Sequence, residues 1–205
     1  MTTVETRRER KKTAARSLIL STAIDLFARR GIDAVTIDEI AAAADVGKGT
    51  IYNYFAAKED IVVAFMADLE ARIAPTIARV RPGERPVDRV LADYILLHFR
   101  LKEPYHAFVR VFLAQMFMDT GRFLPYIVEM QKHIDPPLQS LFAALERRQA
   151  LRAGIDMPRL ILSFKTMHLG LTALWAVEGP PFEQSTRLVR QQMQFFTEGI
   201  LRKAQ

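Results

Sequence analysis

The chain has 205 residues, of which 50% are apolar and 25% are charged, as in ordinary globular proteins and unlike disordered or fibrous chains. It contains no cysteine, which excludes disulfides, thiolate zinc sites and thiol nucleophiles. The net charge of +6 is modest, and the longest uncharged stretch, 166–177, is shorter than the roughly 18 to 20 residues that cross a membrane. We therefore expect a cytoplasmic protein with no membrane partner.

The first 80 residues are predicted to form four helices, because apolar residues recur every three or four positions and no stretch alternates like a strand. The second helix has a clear start: Thr36 precedes it and Glu39 stands three positions later, the pattern of a capping box. The fourth helix starts near Lys58 and is expected to kink or break at Pro75. The predicted ranges are 13–30, 37–44, 48–54 and 58–80.

Helices are also predicted for the rest of the chain, where prolines and glycines separate them. We find no internal repeat and no flexible linker. We therefore expect an all-α protein with two parts, 1–57 and 58–205, that share the fourth helix. The predicted helices of the second part are 87–102, 105–118, 123–134, 137–152, 158–178 and 183–203.

Two short helices joined by a tight turn, 37–44 and 48–54, are the most suggestive feature. In a helix-turn-helix, the first of two such helices braces the second, which enters the major groove of DNA. Alanines at 41–44 allow a close approach of the helices, and Gly47 and Gly49 leave the start of the second one uncrowded. The free N–H groups and positive dipole at that end suit a phosphate.

The segment from Thr36 to Ile61, TIDEIAAAADVGKGTIYNYFAAKEDI, resembles the DNA-binding signature of the TetR family of transcriptional repressors. The preceding helix, which ends LFARRG at Gly31, fits as well, so the resemblance covers about residues 14–65. It implies an N-terminal three-helix helix-turn-helix domain, 1–57, and a C-terminal helical ligand-binding and dimerisation domain, 58–205. The implied function is a regulator, commonly a repressor, that binds a palindromic double-stranded operator as a homodimer and is released by a small apolar or aromatic effector.

Two positions depart from the commonest residues of that family. The turn usually carries Gly where this chain has Asp45, and Asp tolerates a left-handed backbone. The recognition helix often begins with Ser where this chain has Gly47, which caps a helix without a side-chain acceptor. Both departures affect only fine geometry.

The resemblance also implies roles for single positions. Lys48 is expected to donate to guanine O6 and N7, and Asn53 to read a base or bond a phosphate. Thr36 is expected to touch a phosphate besides capping its helix, and Lys58 to pair with another. Arg7 to Lys12 are expected to follow the backbone or enter a minor groove, unless this basic arm is simply solvated. The full expected set is Thr36, Lys48, Gly49, Thr50, Tyr52, Asn53, Tyr54 and Lys58, although the tyrosines alone would suit ordinary half-buried aromatics.

The second domain is expected to hold an effector and a second copy of the chain. Aromatic residues, methionines and histidines suit an apolar cavity with few polar anchors, although each equally suits core packing. The cavity candidates are Tyr94, His98, Phe112, Met116, Phe164 and His168. Related proteins dimerise through the last two helices, so that two recognition helices lie about 34 to 36 Å apart. The expected interface residues are Phe164, Leu171, Trp175, Val189, Met193, Phe196 and Ile200, whose spacing also suits a monomer core.

Two other functions stay open on the sequence. An enzyme would need a site, but Glu129 and His133 lack the further ligands of a di-iron bundle, and no nucleophile or nucleotide motif occurs. We therefore expect no catalysis, no metal and no cofactor. The other alternative is a helical small-molecule-binding or adaptor protein without specific DNA binding. The presence of Lys48, Tyr52, Tyr54 and Lys58 argues against it.

Overall fold

A computed structural model describes residues 6–201, without the side chains of Arg8, Glu9 and Arg122. Within this range the chain forms nine α-helices, one 3-10 turn and a single bridge between Leu151 and Leu201, so the all-α prediction is confirmed. The helices are α1 (Arg7–Arg30), α2 (Ile37–Ala43), α3 (Lys48–Tyr52), α4 (Lys58–Ile77), α5 (Val87–Lys102), α6 (His106–Met118), α7 (Thr120–Arg147), α8 (Met157–Glu178) and α9 (Glu183–Ile200), with the 3-10 turn at Glu103–Tyr105.

Two compact units divide the chain, the first ending at Met66 and the second beginning at Ala67. Helix α4 runs through this boundary, and its first two turns bury Ile61, Val62 and Phe65. The boundary expected at 57/58 instead marks the start of that helix. Residues 1–5 and 202–205 of the predicted domains lie outside the described residues.

The first unit packs α1 against α2 and α2 against α3. Its centre consists of fully buried apolar side chains, among them Ile19, Ile40, Ile51 and Phe55. The guanidinium of Arg16 lies 5.5 Å from the centre of the Phe55 ring, a cation–π distance. This small core fixes the two short helices relative to α1.

Helix α1 begins at Arg7, whereas the sequence analysis predicted a start at residue 13 and a separate basic arm. Residues 7–12 are arginine, lysine and glutamate only, all good helix formers, so nothing ends the helix there. The described side chains of this basic turn, at Arg7, Arg10, Lys11 and Lys12, are exposed.

The second unit packs α5 against α8 and α9, and α6 against α7 and α8. Aromatic rings fill much of its core. Trp175 stacks between Phe99, 5.1 Å away, and Phe182, 4.9 Å away, measured between ring centres. Phe164 meets Phe142 edge-on at 5.4 Å. These contacts pack the neighbouring helices against the buried face of α8.

Helix α7 is continuous where the sequence analysis predicted two helices, 123–134 and 137–152. Pro136 and Pro137 lie inside it, and α4 likewise continues past Pro75. A proline removes one N–H donor and crowds the preceding turn, which weakens a helix but does not always end it. The turns that follow in α7 are anchored by the buried Leu138, Leu141, Phe142 and Leu145.

Helix α8 is, within the described residues, the one helix long and apolar enough by length and composition to cross a bilayer. The uncharged-stretch criterion missed it because Arg159 and Lys165 interrupt the run. Its buried residues, including Leu160, Phe164 and Trp175, belong to the core of the second unit. A core helix passes the same test, so the observation is weak support for a membrane span.

Candidate nucleic-acid interface and a buried polar cluster

The start of α2 is fixed by a reciprocal capping box, as predicted. The backbone N–H of Glu39 donates to the Thr36 hydroxyl at 3.2 Å, and the backbone N–H of Thr36 donates to the Glu39 carboxylate at 2.8 Å. Arg30 pairs with the same carboxylate at 2.8 Å. The Thr36 backbone bond, followed by the bond from Arg30, lowers the pKa of Glu39 to about 2. The carboxylate therefore ties the end of α1 to the start of α2.

The turn between α2 and α3 takes the form expected from the two unusual residues. Asp45 has a φ of 52°, the left-handed conformation that was predicted for it. Gly47 is the N-cap of α3 and provides no side-chain bond. The N–H groups at the start of α3 thus have no side-chain acceptor from the cap residue.

Helix α3 presents a polar surface formed by Lys48, Thr50, Tyr52 and Asn53. The Tyr52 side chain is exposed at 49%, while Ile51 on the opposite side is fully buried. Thr50 is half-buried, and Asn53 is exposed at the C-cap of the helix. Tyr54 follows the helix and is half-buried, its ring centre 6.4 Å from that of Phe55. We call Lys48, Thr50, Tyr52 and Asn53 the reading face.

Lys48 is paired within its own motif. Its ammonium lies 2.8 Å from one carboxylate oxygen of Asp38 and 2.9 Å from the other, and both side chains are exposed. The hydrogen bond from Lys48 to Asp38 raises the pKa of the lysine. Asp38 belongs to α2, so the brace helix positions the lysine of the reading face.

Lys58 and Thr36 are engaged in the protein, although both were expected to contact phosphates. The Lys58 ammonium donates to the carbonyls of Ile32 at 2.8 Å, Asp33 at 3.3 Å and Val35 at 3.4 Å. These three acceptors match the three donors of an ammonium group. The Thr36 hydroxyl donates to the Glu39 carboxylate at 3.0 Å. In this conformation both side chains hold the loop before α2 and have no donor left for DNA.

Four of the six predicted cavity residues form one cluster, which we call the buried polar cluster: Tyr94 and His98 on α5, Phe164 and His168 on α8. The first three are buried, and His168 is half-buried with its Nε2 atom buried. Ring centres are 4.7 Å apart for Tyr94 and His98, and 4.8 Å apart for the two histidines. His98 Nδ1 lies 3.0 Å from the Tyr94 carbonyl oxygen. Phe112 and Met116 lie on α6, the first buried and the second half-buried. The structure thus supports a polar core here and assigns no ligand to it.

A buried ion pair joins Glu70 on α4 to Lys102 on α5 and was not predicted from the sequence. Both side chains are almost completely buried, at 3% and 8% exposure. Burial, followed by the charge of Lys102, lowers the pKa of His98 to about 3. Burial also lowers the pKa of His168 and raises that of Tyr94. The clue available in the sequence was a charge on the apolar face of each helix.

The predicted interface residues are mainly core residues of the protomer. Side chains at Phe164, Leu171, Trp175, Val189 and Met193 are buried in the second unit, and those at Phe196 and Ile200 are half-buried. In this conformation the five buried side chains present no surface to a second copy. The exposed apolar residues of the same two helices are Leu162, Leu169, Leu174, Val177 and Phe195.

The first unit therefore has the features of a helix-turn-helix that reads duplex DNA: a capped brace helix, a tight turn, and a short second helix with exposed polar side chains. The fold and this site define the class of DNA-binding regulators.

Comparison with known proteins agrees with this class. Residues 19–65 match the family described as bacterial regulatory proteins, tetR family. The HTH-type transcriptional regulator TcmR of Streptomyces glaucescens is 27% identical over 198 residues, covering 78% of this chain and 83% of that protein. A TetR-family regulator from Pectobacterium atrosepticum has the same fold, with a TM-score of 0.71 at 18% identity over 98% of this chain and 100% of that one. FadR of Thermus thermophilus, a TetR-family repressor in complex with lauroyl-CoA, gives a TM-score of 0.69 at 20% identity, over 93% and 97% of the two chains. Residues 19–65 therefore match the tetR family of bacterial regulatory proteins, and the chain as a whole is similar to transcriptional regulators of that family.

Proposed function

We propose that this protein is a cytoplasmic, ligand-responsive repressor that binds a near-palindromic operator as a homodimer. The observation that carries the proposal is the exposed reading face of α3. The other side of this helix is packed through Ile51, and the brace helix α2 begins with a complete capping box. A polar surface on so short a helix contributes nothing to the core, which favours a role in recognition.

In the complex, α3 enters the major groove with its N-terminal end toward the duplex. Lys48 donates to guanine O6 and N7, and Tyr52 contacts the backbone and a thymine methyl. Thr50, Asn53 and Tyr54 hold phosphates, with the basic turn of α1 as a further backbone contact. Thr36 and Lys58 act indirectly, by fixing the loop that precedes the brace helix.

Exposed apolar residues support a homodimer through α8 and α9. Val177 is 80% exposed and Phe195 is 74% exposed, so neither side chain contributes to the core of a single protomer. Two copies related by a two-fold axis would cover each other's exposed apolar residues and present two reading faces. Operator half-sites one helical turn apart, about 34 to 36 Å, would match such a pair.

An effector in the second unit would act on DNA binding through α4. Glu70 joins α4 to α5 beside the buried polar cluster, and Lys58, the first residue of α4, holds the carbonyls of the loop before α2. A ligand that displaces α5 or α8 would therefore shift α4 and, with it, that loop. The lauroyl-CoA complex of Thermus thermophilus FadR supports effector binding in a protein of this fold. Release of the operator then follows if the ligand prefers the displaced state.

The direct test measures binding of the purified protein to the DNA upstream of its own coding region by fluorescence anisotropy at several salt concentrations. We expect specific binding that weakens steeply with salt, because phosphate contacts release counterions. Tyr52→Ala is expected to weaken operator binding about tenfold or more while leaving the oligomeric state unchanged.

Tyr126→Ala, a half-buried tyrosine of α7, is the matched control and is expected to leave operator affinity unchanged. Weak binding that is indifferent to sequence, with the same affinity for Tyr52→Ala, would instead favour a helical adaptor without specific DNA binding.

A further inference from the structure

The buried polar cluster contains side-chain atoms without a hydrogen-bond partner. Tyr94 Oη and His168 Nε2 are both buried and unpartnered among the described residues. Their rings stand edge to face with centres 6.1 Å apart, and the Tyr94 side chain is only 1% exposed. A buried hydroxyl or imidazole nitrogen without a partner is destabilising, so natural proteins rarely keep two of them in one cluster unless something binds there.

The charges around the cluster balance. Glu70 and Lys102 are the buried ions next to it, and they neutralise each other in a direct pair. Burial keeps both histidines uncharged, since their pKa values lie well below the usual value. The spare donors and acceptors therefore lie among groups that carry no net charge. A ligand group with a net charge would lose its hydration there without gaining a counter-ion.

Flat rings surround the two unpartnered atoms. Phe164 lies 5.8 Å from Tyr94 and 6.3 Å from His168, and Phe99 lies 6.5 Å from His168, measured between ring centres. Aromatic groups pack favourably at such distances, face to edge or offset. The surroundings thus match an aromatic ligand with a polar substituent.

From this geometry we infer that the effector which the proposed function assigns to the second unit is a small uncharged aromatic molecule with a hydroxyl or carbonyl group. That group bonds Tyr94 Oη and His168 Nε2, and the ring lies among Phe99, Phe164 and the histidines. The inference rests on the proposed function only in assigning the ligand a regulatory role, because binding of the ligand itself requires no DNA. A ligand in this position separates α5 from α8 beside the Glu70–Lys102 pair.

The first experiment tests whether the Tyr94 hydroxyl stabilises the protein when no ligand is bound. The variant Tyr94→Phe keeps the ring and removes the unpartnered hydroxyl. We expect its thermal midpoint without ligand to rise by about 2 to 4 °C, because a buried unsatisfied group is lost. Tyr126→Phe, outside the cluster, is the matched control and should change little. An unchanged or lower midpoint for Tyr94→Phe, as expected if an ordered water or an internal bond satisfies the hydroxyl, overturns the inference.

The second experiment compares two probes of one skeleton, 2-naphthol and 2-naphthoate, at pH 7, where only the second is charged. 2-Naphthol is expected to raise the midpoint of the wild type by about 2 °C or more at saturation, and to do so less for Tyr94→Phe. 2-Naphthoate is expected to have no effect. Equal stabilisation by both probes, stabilisation by neither, or an undiminished effect in Tyr94→Phe overturns the inference.

These results stand apart from the proposed function. A protein that binds its operator but fails both midpoint tests would refute only the ligand class. A protein that passes them but binds no DNA specifically would refute only the operator role.

Discussion

The two units use polar side chains in opposite ways. In the first unit the polar groups of the DNA-binding motif lie at the surface and have short-range partners: Thr36 with Glu39, and Lys48 with Asp38. In the second unit, Tyr94 Oη and His168 Nε2 are buried atoms, and neither has a partner in the described chain. The surface polar groups find their partners among residues close in the sequence, whereas the surroundings of the buried polar groups come from helices distant in the sequence. The predictions below test this difference, from the largest expected effect to the smallest.

The largest effect is expected from charges at exposed apolar residues of α8 and α9. The double variant Val177→Glu and Phe195→Glu should convert a dimer into a monomer, because buried unpaired carboxylates oppose association. Operator affinity should then fall by about 10² to 10⁴-fold, since two linked reading faces bind far more tightly than one. Sedimentation and anisotropy measure the two quantities.

The matched control carries the same charges at Leu124 and Val128, which are exposed on α7. It should stay dimeric and bind the operator normally. If both double variants become monomeric, the dimer interface is not confined to α8 and α9.

Acid should destabilise the second unit through its buried histidines. His98 is faced by Tyr94 and Lys102 on α5 and by His168 on α8, while Glu70 on α4 pairs with Lys102 and acts on His168. Its pKa is about 3 when folded and 6.5 when unfolded, so the unfolded chain takes up the proton first as the pH falls. Stability is therefore complete above pH 6.5 and is lost progressively toward pH 3, by up to about 1.4 kcal/mol per pH unit for one histidine.

Denaturant unfolding at pH 7, 6 and 5 measures this loss. His98→Leu should flatten the pH dependence, whereas His133→Gln on α7 should leave it as in the wild type. An equally steep loss in His98→Leu would mean that other groups dominate acid unfolding.

Lys58 offers a test of a structural role against a DNA contact. Lys58→Met removes three hydrogen bonds to carbonyls of the loop before α2 and should lower the free energy of unfolding by about 1 to 3 kcal/mol. The slope of log affinity against log salt should remain unchanged, because no phosphate contact is lost. A slope reduced by about one, with unchanged stability, would show instead that Lys58 binds a phosphate.

The smallest effect is expected at Asp38, which holds Lys48 by an exposed ion pair. Asp38→Asn removes a negative charge next to the duplex and frees the lysine, so affinity for unrelated DNA should rise by about two- to fivefold at low salt, and specificity should fall. Asp25→Asn, an exposed carboxylate of α1, is the control for the same change in net charge. Equal effects of both variants would leave Asp38 without a special role.

Most of the first unit could be predicted from the sequence, because its structure depends on residues close together in the chain. The capping box at Thr36 and the left-handed Asp45 follow from such local rules. The engagement of Lys58 could not, since its acceptors lie 23 to 26 residues away and are carbonyls that no sequence pattern specifies. The positive charge and three donors of its ammonium group suit phosphate oxygens and carbonyl oxygens equally well.

In the second unit, helix periodicity identified the helices but not the partner of each face. Helix α8 is apolar on most of its circumference, so spacing alone did not separate the inward Leu171 and Trp175 from the outward Leu169 and Val177. The continuity of α7 across Pro136 and Pro137 depended on the buried residues after them. The meeting of Tyr94 with His168 required the tertiary fold.

Gly49 is a position in the short helix α3 where a larger side chain would fit. A Cβ built at this position meets no atom within 4 Å, and alanine would favour the helix by about 1 kcal/mol. The protein thus keeps a glycine, which stabilises the helix less than alanine would, at an exposed site where a side chain would fit without rearrangement. Alanine or serine there would add an atom toward the groove, so operator preference is open to redesign at a single codon while the fold gains stability.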